Sequence, residues 1–215
     1  MGKTTLAPTA ASGTPEASSG DEERAGVVHL GQPSDAELVE RAREGDRWAR
    51  AALYHRHAPH VSSLALRLLR DRDTADDVLQ DTFVSAFETM HQLRTPSKVR
   101  AWLRQIAVRH VQRRFRRRKL RRLLGFRPRP SVPLAELASQ DAPQEAVVQL
   151  ERVDEALRAT PERARLVWTL RQVEGETLPA IAAACGISLA TVKRDLTRAQ
   201  DAVRAVVDDE TEGTR

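Results

Sequence analysis

The sequence predicts an all-α fold of two small helical domains joined by a flexible linker. Apolar residues recur every three or four positions in two long blocks, which is typical of amphipathic helices. Ser34, Thr177 and Ser188 each stand directly before such a stretch, where a hydroxyl can cap a helix. The interval between the blocks contains Gly125, Pro128, Pro130, Pro133 and Pro143 and shows no helical stripe. The expected division is a disordered leader at 1–32, a first domain at 33–120, the linker at 121–143, a second domain at 144–206 and an acidic tail at 207–215.

Composition restricts the class of protein. The 215 residues are 40% hydrophobic and 30% charged, which suits small helical cores. No run approaches the roughly 18 apolar residues of a membrane span, and no signal peptide is recognisable, so we expect a cytoplasmic protein without membrane insertion. The single Cys185 excludes an internal disulfide and a multi-cysteine zinc site. A sequence pI near 10.1 favours nucleic acid as a partner.

Four helices are predicted in the first domain. Ser34 and Glu37 form a capping-box pattern, in which each residue can satisfy the backbone N–H of the other. Pro59 falls inside the second helix, where we expect a bend. The predicted helices run from Ser34 to about Gly45, from Arg47 to Arg70, from Asp71 to about Met90, and from Ser97 onward.

Three histidines in the second helix raise the question of a metal site. His55 and His57 lie about 200° apart around a helix, so the two of them and His60 cannot share one face. No carboxylate or cysteine nearby completes a set of ligands. We therefore expect exposed histidines, no bound metal and no cofactor.

The third helix carries an acidic face. Asp76, Asp77, Gln80 and Asp81 lie away from the apolar side that includes Phe83. Two interpretations stay open at this point. The face is either simply solvated or a docking surface for basic helices of a partner.

The fourth helix combines an apolar stripe with a strongly basic run. The stripe begins at Val99 and stops at His110, after which arginines point in every direction. The segment from Lys98 to Pro130 holds 14 cations and no acid; the whole chain carries +5 and this segment +14, so the remainder carries −9. A solvated, disordered basic run is one interpretation. A polyphosphate partner is the other, because arginine pairs bidentately with phosphate.

The second domain begins with two amphipathic helices. Thr160 and Pro161 predict the start of the second of them, with threonine as the N-cap and proline at the first helical position.

A helix-turn-helix pattern follows. A short helix capped by Thr177 leads to a turn at Gly186 and to a longer helix capped by Ser188, and the second helix of this motif enters the major groove of DNA. Cys185 shares the inner face with Ile181, so we expect it in the core. Six residues of the longer helix lie outside its apolar stripe and are available to bases and phosphates: Leu189, Ala190, Lys193, Arg194, Thr197 and Arg198.

Together the two blocks resemble bacterial RNA polymerase sigma factors of the sigma-70 family, of the small extracytoplasmic-function (ECF) type. Residues 34–119 resemble sigma domain 2, a helical bundle, through SDAELVERAREGD, ADDVLQDTFVSAF and VRAWLRQIAVRHVQRRFRRR. Residues 146–204 resemble sigma domain 4 through LRATPERARLVWTL, VEGETLPAIAAACGIS and TVKRDLTRA. A helix-turn-helix alone is shared with many regulators, whereas both blocks in this order are specific.

The resemblance implies a promoter-specificity factor without catalytic activity of its own. Its partners would be the β′ clamp helices and β flap of core RNA polymerase, promoter DNA and, as is common in this group, an anti-sigma protein. Asp77, Gln80 and Asp81 match the surface that docks on β′. The six residues of the longer helix match the reader of the −35 element. In sigma factors, another part of domain 2 melts the −10 element and holds its separated strand. The residues that match this part are Arg94, Lys98, Arg100, Trp102, Arg104, Arg109 and Arg113.

Three positions depart from the family pattern. Arg109 stands where many relatives have asparagine, and Ala180 replaces a common glutamate that would complete a capping box. Asp195 lies among the cations of the longer helix, where we expect it to repel phosphate or to accept from a cytosine amino group.

Two other classes of function compete with this interpretation. A free-standing helix-turn-helix regulator accounts for residues 160–204 but leaves the acidic face and the Trp102 helix unexplained. A nucleic-acid-processing enzyme would need a nucleophile with its base, a metal set or a phosphate loop, and the sequence offers none of them.

Overall fold

A computed structural model describes residues 33–125, 132–133, 136 and 143–213, with side chains as far as Val207. The predicted leader and most of the predicted linker lie outside these residues. Within the described part of the chain, the regular elements are eight α-helices and two short 3₁₀ helices, which confirms the all-α prediction. None of the described helices has the length and apolar character that crossing a membrane requires.

The first half contains four helices close to their predicted positions. The hydroxyl of Ser34 accepts from the backbone N–H of Glu37, and the Glu37 carboxylate accepts from that of Ser34, so the predicted capping box is present. The second helix continues through Pro59 as one element. The helices are α1 (Asp35–Arg43), α2 (Arg47–Leu69), α3 (Arg72–Thr89) and α4 (Val99–Leu123).

The second half also contains four helices, and the helix-turn-helix caps lie where the sequence predicts them. The Thr177 hydroxyl accepts from the N–H of Ala180, and the Ser188 hydroxyl accepts from that of Thr191. Gly186 ends the shorter helix with a φ of 64°, a left-handed conformation that favours glycine. The helices are α5 (Gln144–Ala159), α6 (Glu162–Gln172), α7 (Leu178–Cys185) and α8 (Leu189–Gly213).

Two predicted boundaries differ from the structure. Thr160 does not cap α6, because its hydroxyl donates to the carbonyl of Leu157 at the end of α5, and Pro161 precedes the first helical residue. The acidic segment expected as a frayed tail from residue 207 continues α8 as far as Gly213.

The helices of the first half enclose a core of their own. It is formed by α1 to α4, and the fully buried side chains of Leu38 and Leu53 lie within it. Trp102 packs against its edge. This core fixes the positions of the acidic face on α3 and of the first turns of α4.

A second core is shared by the two halves. Leu68 of α2 and Val111 of α4 belong to the same buried cluster as Leu166 of α6 and Ile181 of α7. The two predicted domains therefore pack directly against each other in this arrangement. Burying the apolar faces against each other removes from water the surfaces that two isolated modules would expose.

The shared core also corrects the interpretation of α4. Its apolar stripe does not stop at His110: Val111 is fully buried and Phe115 is 7% exposed among the arginines that follow. The guanidinium of Arg165 lies over the Phe115 ring at 5.8 Å from its centroid. The basic part of α4 therefore has one side in the core and the other in solvent.

Candidate nucleic-acid interface

The longer helix of the helix-turn-helix, α8, presents a polar face to solvent. Val192 and Ala199 are fully buried on its opposite side, which fixes the rotation of the helix. A helix held in this way offers its N-terminal turns to a major groove. All six predicted contact residues are exposed: Leu189, Ala190, Lys193, Arg194, Thr197 and Arg198.

Asp195 is not part of this exposed face. Its side chain is 4% exposed, and its two carboxylate oxygens accept hydrogen bonds from the guanidinium of Arg163 on α6. Its hydrogen bond to Arg163 raises the pKa of that guanidinium. The expectation that Asp195 repels phosphate or reads a cytosine is therefore wrong, because Asp195 lies on the buried side with Val192 and Ala199.

The seven residues matched to the −10 element fall into two groups. Arg104 is only 13% exposed, because its guanidinium pairs with the carboxylates of Glu174 and Glu176 in the loop between α6 and α7. Trp102 is half-buried at the edge of the first core. The other five are exposed along the start of α4 and the segment before it, or on its outer side: Arg94, Lys98, Arg100, Arg109 and Arg113.

Glu174 is a buried acid that the sequence pattern did not single out. Its side chain is 3% exposed, with Oε2 at 3.3 Å from Arg104 and 3.1 Å from Nε2 of His60, and Oε1 at 3.8 Å from Arg67. Burial raises the pKa of this carboxyl, but the neighbouring His60 and Arg104 outweigh it and hold the pKa below its ordinary value. The acids flanking Gly175 were the only sequence signal for this contact.

The acidic face of α3 is solvent-exposed and partly neutralised from α4. Gln80 is exposed, and the side chains of Asp77 and Asp81 are 59% and 48% exposed. The guanidinium of Arg114 lies 3.4 Å from Asp77 and 2.9 Å from Asp81. Sequence reasoning missed Arg114, because its position opposite α3 depends on how the two helices pack.

His110 joins the same contact between α3 and α4. Its Nε2 lies 3.1 Å from the hydroxyl of Ser85, and its Nδ1 lies 3.8 Å from Asp81. Burial lowers the pKa of His110, against the opposing effect of the Asp81 carboxylate.

The histidines of α2 are not all exposed as expected. His57 is 5% exposed, with its Nε2 at 3.1 Å from an oxygen of Asp35, and burial lowers its pKa. His60 turns toward Glu174, and only His55 is exposed. No group of three or more histidine, cysteine, aspartate or glutamate side chains able to hold a metal occurs among the described residues.

Cys185 lies in the shared core, as predicted. It is 7% exposed, and burial raises the pKa of its thiol to about 11. A thiol in this environment is a poor nucleophile at neutral pH, because the reactive form is the thiolate.

Comparisons with known proteins match both halves of the chain. The family model described as Sigma-70 region 2 matches residues 53–121, and that described as Sigma-70, region 4 matches residues 150–200. The ECF RNA polymerase sigma factor SigM of Mycobacterium tuberculosis is 31% identical over 170 residues, which cover 78% of this chain and 81% of that protein. The RNA polymerase sigma-H factor of Pseudomonas aeruginosa is 28% identical over 187 residues, covering 81% and 94%.

A solved structure shares the fold. It is that of CnrH in complex with the cytosolic domain of CnrY, and CnrH is an RNA polymerase sigma factor of Cupriavidus metallidurans. The TM-score is 0.55 at 26% sequence identity, covering 82% of this chain and 99% of CnrH.

Proposed function

The chain belongs to the sigma-70 family of RNA polymerase sigma factors, in its extracytoplasmic-function group, and from this premise we propose which residues carry each step of promoter recognition. As a sigma factor it directs core RNA polymerase to promoters at the start of transcription. Sigma factors are non-enzymatic, and in this proposal the chain acts by binding alone. The α5–α8 half binds duplex DNA while the α1–α4 half opens and holds a strand.

The −35 element is read by the exposed face of α8. Arg194 and Lys193 supply donors that suit guanine O6 and N7 in the major groove, and Thr197 and Arg198 supply further contacts to bases or phosphates. Leu189 and Ala190 provide apolar contact near the helix start. Support comes from the exposure of all six side chains on a helix whose other side is fixed in the core.

The −10 element is held by the start of α4 and the segment before it. Arg94, Lys98, Arg100, Arg109 and Arg113 contact phosphates, and Trp102 offers a ring on which a separated base can stack. Base stacking on an aromatic ring contributes about 1–3 kcal/mol per base, which offsets the few kcal/mol lost on unpairing. The local excess of cations on α4 supports this assignment.

Core polymerase docks on the acidic face of α3, through Asp77, Gln80 and Asp81. The exposure of these three side chains supports the assignment. The ion pairs of Asp77 and Asp81 with Arg114 lie at the surface and are individually weak, so basic helices of the β′ clamp can replace them. The proposal also includes a second contact to the β flap, an anti-sigma partner and action in the cytoplasm. In its solved structure, CnrH likewise binds another protein, the cytosolic domain of CnrY.

The exposed polar face of α8, held in place by Val192, Asp195 and Ala199, is the observation that carries this proposal. A mobility-shift experiment with a promoter duplex, with and without core polymerase, tests it. We expect a specific shift only when core polymerase is present. Tight, specific binding by the isolated chain would instead favour a free-standing regulator.

A further inference from the structure

The loop between α6 and α7 places two carboxylates on a cluster of cations in the other half of the chain. We call His60, Arg67 and Arg104 the cation cluster, and residues 173–177 the acidic loop. His60 and Arg67 lie on α2 and Arg104 on α4, so the cluster spans two helices of the first half. Neither His60 nor Arg67 belongs to the residues assigned above to promoter contacts.

The acidic loop is shaped by its own half of the chain. The backbone N–H of Glu176 donates to the carbonyl of Leu170 at 2.9 Å, and the Arg171 guanidinium donates to the carbonyl of Glu176 at 2.9 Å. Gly175 adopts a φ of 69°, which favours glycine and lets the acids on both sides face the cluster. Contacts within the second half therefore fix the conformation of the loop and the positions of Glu174 and Glu176.

The contact has the chemistry of phosphate recognition. Arg104 binds both carboxylates, and Glu174 lies 3.1 Å from His60 and 3.8 Å from Arg67. The guanidinium groups and the imidazole that surround the two oxygens of the Glu174 carboxylate would equally suit the oxygens of a phosphate. The Glu174 side chain is 3% exposed and that of Arg104 13%, so in this arrangement the acids exclude any other anion from the Arg104 guanidinium.

We propose that the cation cluster is a phosphate-binding site for the separated promoter strand, and that Glu174 and Glu176 occupy it as phosphate mimics in the free protein. This rests on the proposed function, in which the −10 strand binds along the start of α4, where Arg104 also lies. The strand and the acidic loop compete for the same guanidinium. The free chain consequently binds single strands weakly, because only the fraction with the loop displaced is competent.

Fluorescence anisotropy of the full chain with a fluorescein-labelled oligothymidylate tests the competition. We expect the E174Q/E176Q variant to bind at least about tenfold more tightly than the unmodified chain, a change that corresponds to about 1.4 kcal/mol. The matched control is E151Q/E155Q, which changes net charge equally at two exposed acids of α5. We expect the control to change affinity less than about twofold.

A third variant locates the site. Adding Arg67→Ala to E174Q/E176Q removes most of the gain if the strand binds at the cluster. Equal gains in affinity for E174Q/E176Q and E151Q/E155Q, or a gain that survives Arg67→Ala, would overturn the proposal. Circular dichroism checks the folding of each variant. If the double variant is unstable, Glu176→Gln alone replaces it, because the Glu176 side chain is 20% exposed, and we expect this variant to show a smaller gain in affinity of about threefold.

Transcription with core polymerase separates this proposal from the proposed function. If the unmodified chain directs initiation but E174Q/E176Q binds oligothymidylate no better, the mimicry is wrong and the promoter assignment stands. If the chain directs no initiation while E174Q/E176Q gains affinity that depends on Arg67, the cluster binds phosphate and the promoter assignment is wrong.

Discussion

The guanidinium of Arg70 and the carboxylate of Asp154 form a buried ion pair between the two halves of the chain. Each side chain is 5% exposed. Arg70 ends α2 in a left-handed backbone conformation with a φ of 57°, and Asp154 lies in α5. Burial lowers the pKa of Arg70 to about 10 even with Asp154 beside it. The pair thus ties the first half to the second at a place where neither charge reaches bulk water.

Removing the Asp154 carboxylate should strongly destabilise the structure in which the two halves pack together. Asp154→Ala leaves Arg70 buried without its carboxylate, and breaking a buried pair in this way costs about 3–5 kcal/mol. Urea denaturation measures the loss in free energy of unfolding. Glu155→Ala, at the exposed neighbouring acid, is the control and should change it by less than about 0.5 kcal/mol.

The double variant Arg70→Met/Asp154→Leu extends this experiment. Apolar residues in place of both partners leave no unpaired charge, so most of the lost stability should return. Equal losses for Asp154→Ala and Glu155→Ala would show that the pair does not hold the halves together.

Arg194→Ala should alter sequence preference rather than general affinity. If Arg194 binds one base bidentately, its loss costs about 1–3 kcal/mol at one −35 position and relaxes the preference there. Holoenzyme binding to a set of single-base promoter variants measures this. Arg204→Ala, an exposed arginine further along α8, is the control. A loss that is uniform across all promoters would mean that Arg194 contacts only phosphate.

Asp81→Arg should abolish association with core polymerase while leaving the fold intact. The change reverses the charge of a side chain that is 48% exposed, opposite the basic helices expected on the partner. Co-purification with core polymerase gives the result. The control variant is Glu88→Arg, which makes the same charge change at another exposed position, seven residues further along α3. Unchanged co-purification of Asp81→Arg would place the docking surface elsewhere.

Glu174 should make stability depend on acidity. The pKa of its carboxyl is held below the ordinary value of 4.5 by His60 and Arg104, so Glu174 stabilises the fold above about pH 4.5. That contribution is lost as the pH falls through the lower pKa of the folded state. The difference in free energy of unfolding between the unmodified chain and Glu174→Gln should therefore shrink as the pH falls below 4.5. A difference that grows over this range would contradict the assignment.

Local signals in the sequence predicted most of the helices and the exposed face of α8. Ser34, Thr177 and Ser188 cap helices as expected because capping needs only neighbouring residues. The sequence could not show that Asp195 faces Arg163 or that Arg104 is covered, since both depend on which helices pack together. Thr160 failed as a cap because its hydroxyl bonded backward to α5.

The shared core was hidden for a related reason. Phe115 and Val111 stand among arginines, so a count of charges hides the apolar line that continues along α4. Their partners, such as Leu166, are about 50 residues further along the chain, and no local pattern reports a contact over that separation.

Reconstituted transcription over a library of genomic promoter fragments tests the central claim most directly. Core polymerase supplemented with this chain should initiate at a defined set of start sites that core polymerase alone does not use, and Asp81→Arg should abolish those transcripts. If the purified chain binds core polymerase yet redirects it to no start site, the assignment as a promoter-directing sigma factor is contradicted.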